Sequence, residues 1–294
     1  MIEKVCCIIV SYNIGKKIEQ CVLSIINQVG KVIIVDNGSN EETLKSLNYL
    51  LKKYNVDLIL NKENKGIATA LNQGVSYAIK NNYDWILTLD NDSKATANMV
   101  NIMLKTYFSL PYAIKKDIAG MFPCYLEEKI EDFGCIEASD NLFEYNYIIT
   151  DMTSGNLIKA ETFKKVGFFN EDLFIDYVDH EYCYRVNERG LKFIKVKNAI
   201  LLHSLGNTKQ KKFLNKKIRY TNHSYVRRYY ITRNRFYTWK RFSSFKKEIR
   251  FDKLCFLKEN IKILIFEDDK IKKVKMSLKG YKDFKKNKFG KIED

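Results

Sequence analysis

Apolar and polar positions alternate along the first ninety residues in blocks of two lengths. The short runs VCCIIV (5–10), KVIIV (31–35), VDLIL (56–60) and WILTL (85–89) have the length and β-branched content of buried strands. Longer stretches between them have helical periodicity. GKKIEQCVLSIINQV places Ile18, Cys21, Val22, Ile25 and Ile26 on one face, EETLKSLNYLLKKY does so with Leu44, Leu47 and Leu51, and GIATALNQGVSYAIKN forms a third helix. The order βαβαβαβ predicts an α/β fold whose central sheet is mostly parallel and flanked by helices. After Met121 the rhythm changes. Residues 122–156 lack helical periodicity and predict strands and loops, VDHEYCYRVNERG predicts a helix with Gly190 just past its end, and KFIKVKNAILLHS predicts a final strand pair.

In an open parallel sheet, ligands lie at the carboxyl ends of the strands. Those ends carry Ser11, Tyr12 and Asn13, then Asp36-Asn37-Gly38-Ser39, then Asp90-Asn91-Asp92, so three polar clusters are expected on one edge. Dinucleotide and P-loop glycine patterns are both missing from the chain, so a phosphate-bearing ligand here calls for a metal. Asp90 and Asp92 lie two apart, and at a strand end both side chains can reach one hard cation. The same residues also suit an Asx turn that starts a helix at Ala95.

Net charge divides the chain. The whole protein of 294 residues carries +16, but residues 1–203 hold 23 Lys/Arg against 26 Asp/Glu, net −3, and residues 204–294 hold 28 against 9, net +19. Two regions are therefore expected: a catalytic domain over 1–205 and a basic, aromatic-rich helical region over 206–294. Such a region can meet nucleic acid, an anionic bilayer or a phosphorylated substrate. The seven cysteines sit in apolar contexts without C-x-x-C spacing and read as reduced core residues. The N-terminus lacks signal-peptide character and no run reaches eighteen apolar residues, so a cytoplasmic location is expected.

Seven motifs in order, DNGS (36–39), NKGIATALNQG (64–74), LTLDNDS (87–93), TSGNLI (153–158), FIDYVDHEYCYR (174–185), LLHSLG (201–206) and RRYYITRN (227–234), resemble those of the family 2 inverting glycosyltransferases with the GT-A fold, within them the bacterial rhamnosyltransferase branch. The similarity runs from Val5 to about Phe242. It implies that Asp90 and Asp92 hold Mg²⁺ or Mn²⁺ on the diphosphate of a nucleotide-sugar, with His203 either a third ligand or a core histidine. It further implies a donor site bordered by Ser11, Tyr12, Asn13, Asp36, Asn64, Gly66, Asp90 and Asn72, the last equally suited to packing a helix. Asp179 is implied as general base. The family writes Glu-Asp-x-Asp there, whereas this chain has Val178-Asp179-His180-Glu181, with Glu181 expected to position the acceptor or the base helix.

The resemblance implies transfer of L-rhamnose from dTDP-L-rhamnose to a polyprenyl-diphosphate-linked bacterial glycan. The nearest alternative is galactofuranosyl or other hexosyl transfer from a UDP-sugar. The aromatic and basic stretch 223–247 is expected on the anionic cytoplasmic face of the membrane rather than on nucleic acid, or else Arg227, Arg228 and Arg233 reach phosphates of donor or acceptor. A sugar-phosphate nucleotidyltransferase would need a Gly-rich basic loop after the first strand, which SYNIGKK does not supply. A basic RNA- or membrane-binding protein would leave Asp90, Asp92 and Asp179 without a purpose.

Overall fold

The computed structural model describes residues 1–127, 144–203, 209–213 and 216–293, which form two compact units. One comprises Met1–Glu171 with Asp179–Ser204, the other Asp172–Val178 with Leu205–Asp294. The expected division between 205 and 206 falls outside the described residues. The short stretch 172–178 groups with the C-terminal unit although it lies in the middle of the chain.

In the first unit, β1 (Val5–Ser11), β2 (Lys31–Asp36), β3 (Val56–Leu60) and β4 (Trp85–Asp90) are joined by α1 (Lys17–Ile25), α2 (Glu41–Lys53) and α3 (Ile67–Lys80). They pair in parallel in the order β3-β2-β1-β4. Both sheet faces are covered, which is why these strands are continuous apolar runs rather than alternating ones. Cys7, Ile9, Val32, Ile34 and Leu87 share one core with α1, α2 and α4 (Met99–Ser109). On β1, Ile8 faces α3, whose Gly74 gives it room: a Cβ on Gly74 would lie 2.4 Å from Ile8 Cγ2.

The sheet continues with mixed direction. β8 (Asn156–Lys159) runs antiparallel to β4, β6 (Ile118–Glu127) antiparallel to β8, and β9 (Lys192–His203) parallel to β6. The two-residue β5 (Lys94–Ala95) and β7 (Tyr145–Ile148) both pair antiparallel with β9. The expected strand pair at 192–204 is thus one strand, with a register shift where Pro123 and Cys124 of β6 face it. A short α5 (Tyr112–Lys115), α6 (Ala160–Val166) and α7 (Val178–Glu188) complete the helices before β9.

In the second unit, the helical expectation from Gly206 onward is corrected over 209–220. There β10 (Lys209–Phe213) and β11 (Lys216–Tyr220) form an antiparallel hairpin. Its lysine-rich strands lack the alternating apolar residues that would signal one. Helices α8 (Tyr225–Arg241), α9 (Lys246–Phe266) and α10 (Lys270–Lys285) follow. The backbones of α8 and α10 approach closely, since a Cβ on Gly280 would lie 2.4 Å from the Tyr229 carbonyl oxygen.

The middle of the aromatic and basic stretch that the sequence suggests for a membrane surface, residues 228–235, is instead buried in this unit, while Tyr225, Val226 and Arg227 before it are exposed. Tyr229, Tyr230, Arg228, Arg233, Asn234 and Arg235 of α8 are all buried. Arg235 pairs with Asp252 and Glu259 of α9, while Arg228 pairs with Glu259 and with Glu267, which Lys273 also reaches at 2.9 Å. The buried guanidinium groups of Arg228 and Arg235 persist because each is matched by carboxylates. Among the described residues, no helix is long and apolar enough to cross a membrane.

Candidate active site

The carboxyl end of β4 is pinned from three directions. The Asp90 N–H donates to Ser154 Oγ at 3.0 Å, its carbonyl accepts from Ser93 N–H at 3.1 Å, and Cys21 Sγ approaches the same carbonyl at 3.2 Å. Ser154 is delivered by the turn into β8. Gly155, at φ 78°, donates its N–H to the Thr88 carbonyl at 2.7 Å, a backbone conformation that favours glycine. The end of β9 comes alongside through β5, whose Lys94 and Ala95 pair with Leu202 and Leu201. His203 therefore lies beside the Asp-Asn-Asp turn.

One ligand-type atom from each of Asp90, Asp92 and His203 lies within 4.8 Å of the others, and all three residues are partly buried. Two carboxylates and an imidazole suit a divalent cation such as Mn²⁺ or Mg²⁺. Ser93 Oγ lies 2.8 Å from His203 Nδ1 and 2.8 Å from Ser154 Oγ, and both serines are fully buried. A relay of two hydroxyls thus runs from the Asp90 backbone to the imidazole. It occupies Nδ1 and leaves Nε2 for a ligand. Burial, together with the Asp90 and Asp92 charges, pushes the Cys21 thiol well up, so that cysteine stays protonated.

At the ends of β1 and β2, Ser11 and Asp36 are register partners and both are buried. Asp36 Oδ2 accepts from the N–H groups of Gly38 and Ser39, at 3.2 and 2.9 Å. Its Oδ1 and the Ser11 hydroxyl are buried with no hydrogen-bond partner among the described residues. Such orphaned polar atoms, side by side on a strand edge, are what a ligand's donors would satisfy. Asn13, at φ 51°, accepts from Asn40 N–H and donates its own N–H to Ser39 Oγ, tying the first loop to the second, while Tyr12 is exposed.

Asn64 and Gly66 belong to a third loop, fastened by a residue of the Asp36-Asn37-Gly38-Ser39 cluster. The buried Asn37 donates to Asn64 Oδ1 at 3.0 Å and to the Gly66 carbonyl at 3.1 Å, and it accepts from Lys65 N–H and Asn61. Of the two roles open to Asn72, its contacts favour the packing amide. It donates to the Phe169 carbonyl and to Glu171, and accepts from Phe169 N–H, so its polar atoms are already satisfied.

Asp179 lies in the first turn of α7, where its Oδ1 accepts from His180 N–H at 2.8 Å. Tyr125, on β6, reaches the turn that carries Ser154. Its hydroxyl is pushed far up, first by burial and then by the charges of Asp151, Asp90 and Asp179. Tyr125 donates to the carbonyls of Met152 and Ser154, and Lys195 sits over its ring while pairing with Asp151 at 2.7 Å.

Glu181 is buried and binds Arg185 Nε at 2.8 Å, while Arg185 reaches the carbonyls of Val166 and Phe168. Through Arg185 it ties α7 to the segment at Val166 and Phe168. Arg228 and Arg233 are corrected: both are enclosed in the second unit and engaged there. Arg233 donates to the carbonyls of Asp172, Leu173 and Gly290. Arg227 is exposed but forms a bidentate pair with Asp176.

A parallel four-stranded half, a mixed second half and acids at the end of β4 define a nucleotide-sugar transferase of the GT-A fold. Two solved structures share it. GalNAc-T7 with UDP, GalNAc and Mn²⁺ superposes with a TM-score of 0.54 at 16% identity, over 68% of this chain and 43% of that one. The mannosyltransferase PcManGT from Pyrobaculum calidifontis, in complex with GDP-Man and Mn²⁺, gives 0.53 at 14% identity, over 79% and 61%. Residues 6–116 match the family described as glycosyl transferase family 2. The dTDP-rhamnosyl transferase RfbF of Shigella flexneri is 30% identical over 237 residues, 78% of this chain and 77% of that protein. The glycosyltransferase GlyG of Streptococcus pneumoniae serotype 4 is 27% identical over 60% of this chain, which spans 63% of it. The chain belongs to glycosyltransferase family 2.

Proposed function

We propose that this enzyme is an inverting rhamnosyltransferase, moving L-rhamnose from dTDP-L-rhamnose to a hydroxyl of a polyprenyl-diphosphate-linked glycan at the cytoplasmic face of the membrane. The observation that carries the catalytic reading is the grouping of Asp90, Asp92 and His203 at the carboxyl end of β4, and Asp179 in the first turn of α7 is the carboxylate we assign as base. The similarity to RfbF supports the donor.

Asp90, Asp92 and His203 would hold Mg²⁺ or Mn²⁺. When bound, the cation neutralises charge on the donor diphosphate. Asp36 Oδ1 and Ser11 Oγ accept and donate hydrogen bonds at the nucleoside, and the loops at Tyr12, Asn13, Asn64 and Gly66 border it. Asp179 takes the proton of the acceptor hydroxyl. The acceptor oxygen bonds to the anomeric carbon as the bond to the diphosphate breaks, and the diphosphate leaves with the electron pair, so a single displacement inverts the centre.

Calorimetry with dTDP-rhamnose, UDP-galactofuranose and UDP-glucose, each with Mn²⁺ and with EDTA, tests the donor. Metal-dependent binding of dTDP-rhamnose at least tenfold tighter than the others is expected. Preference for a UDP-sugar would overturn the rhamnosyl reading while keeping the transferase. Asp179→Asn is expected to bind donor as the wild type does and to lose transfer by roughly 10²- to 10⁴-fold; transfer at the wild-type rate would remove Asp179 from the role of base.

A further inference from the structure

Helices α9 and α10 turn an apolar stripe outward. On α9, Phe251, Leu254, Leu257, Ile261, Leu264 and Ile265 recur at three- and four-residue spacing and are 48–69% exposed. On α10, Ile271, Val274, Leu278 and Tyr281 repeat the pattern at 38–73% exposure. Contiguous exposed apolar surface of this kind marks an interaction site.

The charges around the stripes say which kind. Three of the four acids on these helices are drawn inward: Asp252 accepts from Tyr177, Arg235 and Trp239, Glu259 from Arg228 and Arg235, and Asp283 from Tyr229, while Glu248 is half-buried. The charged residues left exposed on α9 and α10 are all Lys or Arg, among them Lys253, Lys258, Lys275, Lys282 and Lys285. Two copies meeting through such a face would oppose like charges, whereas an anionic surface complements them. Beside the stripes, a recess of about 420 Å³ is lined by the rings of Phe236, Trp239, Tyr281 and Phe284 and by Lys240, Lys253 and Lys285. Aromatic rings with lysine ammonium groups suit a lipid phosphate at headgroup depth.

We propose that the α9–α10 face, with the recess it shares with the end of α8, is the surface by which this protein lies on an anionic lipid bilayer. The inference rests on the membrane-side acceptor proposed above, and it assigns to the last fifty residues the contact that the sequence had suggested for 223–247.

The test is sedimentation of the full-length protein with phosphatidylglycerol–phosphatidylcholine vesicles and with phosphatidylcholine alone. Wild type is expected to bind the anionic vesicles, with a blue shift of Trp239 fluorescence, and to release in high salt. The pair Leu257→Ser and Ile261→Ser is expected to lower partitioning roughly tenfold or more. Lys253→Glu with Lys285→Glu should lower it on anionic vesicles only. Circular dichroism and nucleotide binding verify that each variant is folded. Variants that partition as the wild type does would overturn the surface while leaving the membrane reading intact. Wild type that binds neither vesicle would overturn both. A wild-type dimer in solution that the serine pair dissociates would reassign the face to self-association.

Discussion

Ser93 shows how one hydroxyl can govern a site it does not line. It bridges His203 Nδ1 and Ser154 Oγ, at 2.8 Å each, so it sets both the rotation and the tautomer of the imidazole. Loss of such an outer partner typically weakens metal affinity by roughly 10- to 100-fold. Ser93→Ala is therefore expected to raise the Mn²⁺ dissociation constant by that factor in calorimetry, with circular dichroism unchanged. An unaltered constant would return His203 to the role of a core histidine. At this scale the sequence was informative where chemistry is local. Asp90 and Asp92 announce themselves by spacing, but Ser154 and His203 reach the same place only through strand pairings, which a linear pattern does not encode. Asn72 stayed open for the converse reason, because an amide on a helix reads the same whether its partner is a ligand or the backbone at Phe169.

The segment between Leu173 and Val178 carries a different lesson. Phe174, Asp176 and Tyr177 all have φ near +63° to +65°, a conformation that costs a side-chain-bearing residue of order 1–3 kcal/mol. The strain is held by α8. Asn234 Nδ2 donates to the carbonyls of Leu173, Ile175 and Asp176 at 2.8–2.9 Å, and Arg233 takes those of Asp172 and Leu173. The motif RRYYITRN is thus a clamp on the loop that leads into Asp179, not a phosphate cradle. Asn234→Ala leaves buried carbonyls unmet and is expected to cost about 1–3 kcal/mol, read as a lowered midpoint in urea; an unchanged midpoint would mean that the loop holds itself. The four parallel strands and their helices were legible because each is a buried run of the right period. The hairpin at 209–220 and the burial of α8 were not. Lysine-rich strands carry no apolar signal, and an aromatic helix rich in arginine looks like a membrane face until its carboxylate partners, fifteen to forty residues downstream, are seen.

For the molecule as a whole, the split between an almost neutral first region and a strongly basic second one has a consequence for acid stability. His223 lies in the second unit, its basic form favoured by burial and by the charges of Arg227, Arg228 and Lys273, which together bring its pKa down from 6.5 to about 3. The sign follows from linkage. Between these values the unfolded chain holds a proton on His223 that the folded chain does not, so acid favours unfolding. The contribution is complete above about pH 6.5 and is lost as the pH falls towards 3. His223→Gln carries no titrating group there, so its melting temperature should fall less than that of the wild type between pH 7 and pH 4.5. The carboxylates common to both proteins cancel in the comparison. Equal losses would mean that His223 is hydrated in the folded protein and that the crowding of basic groups around it is relieved by solvent.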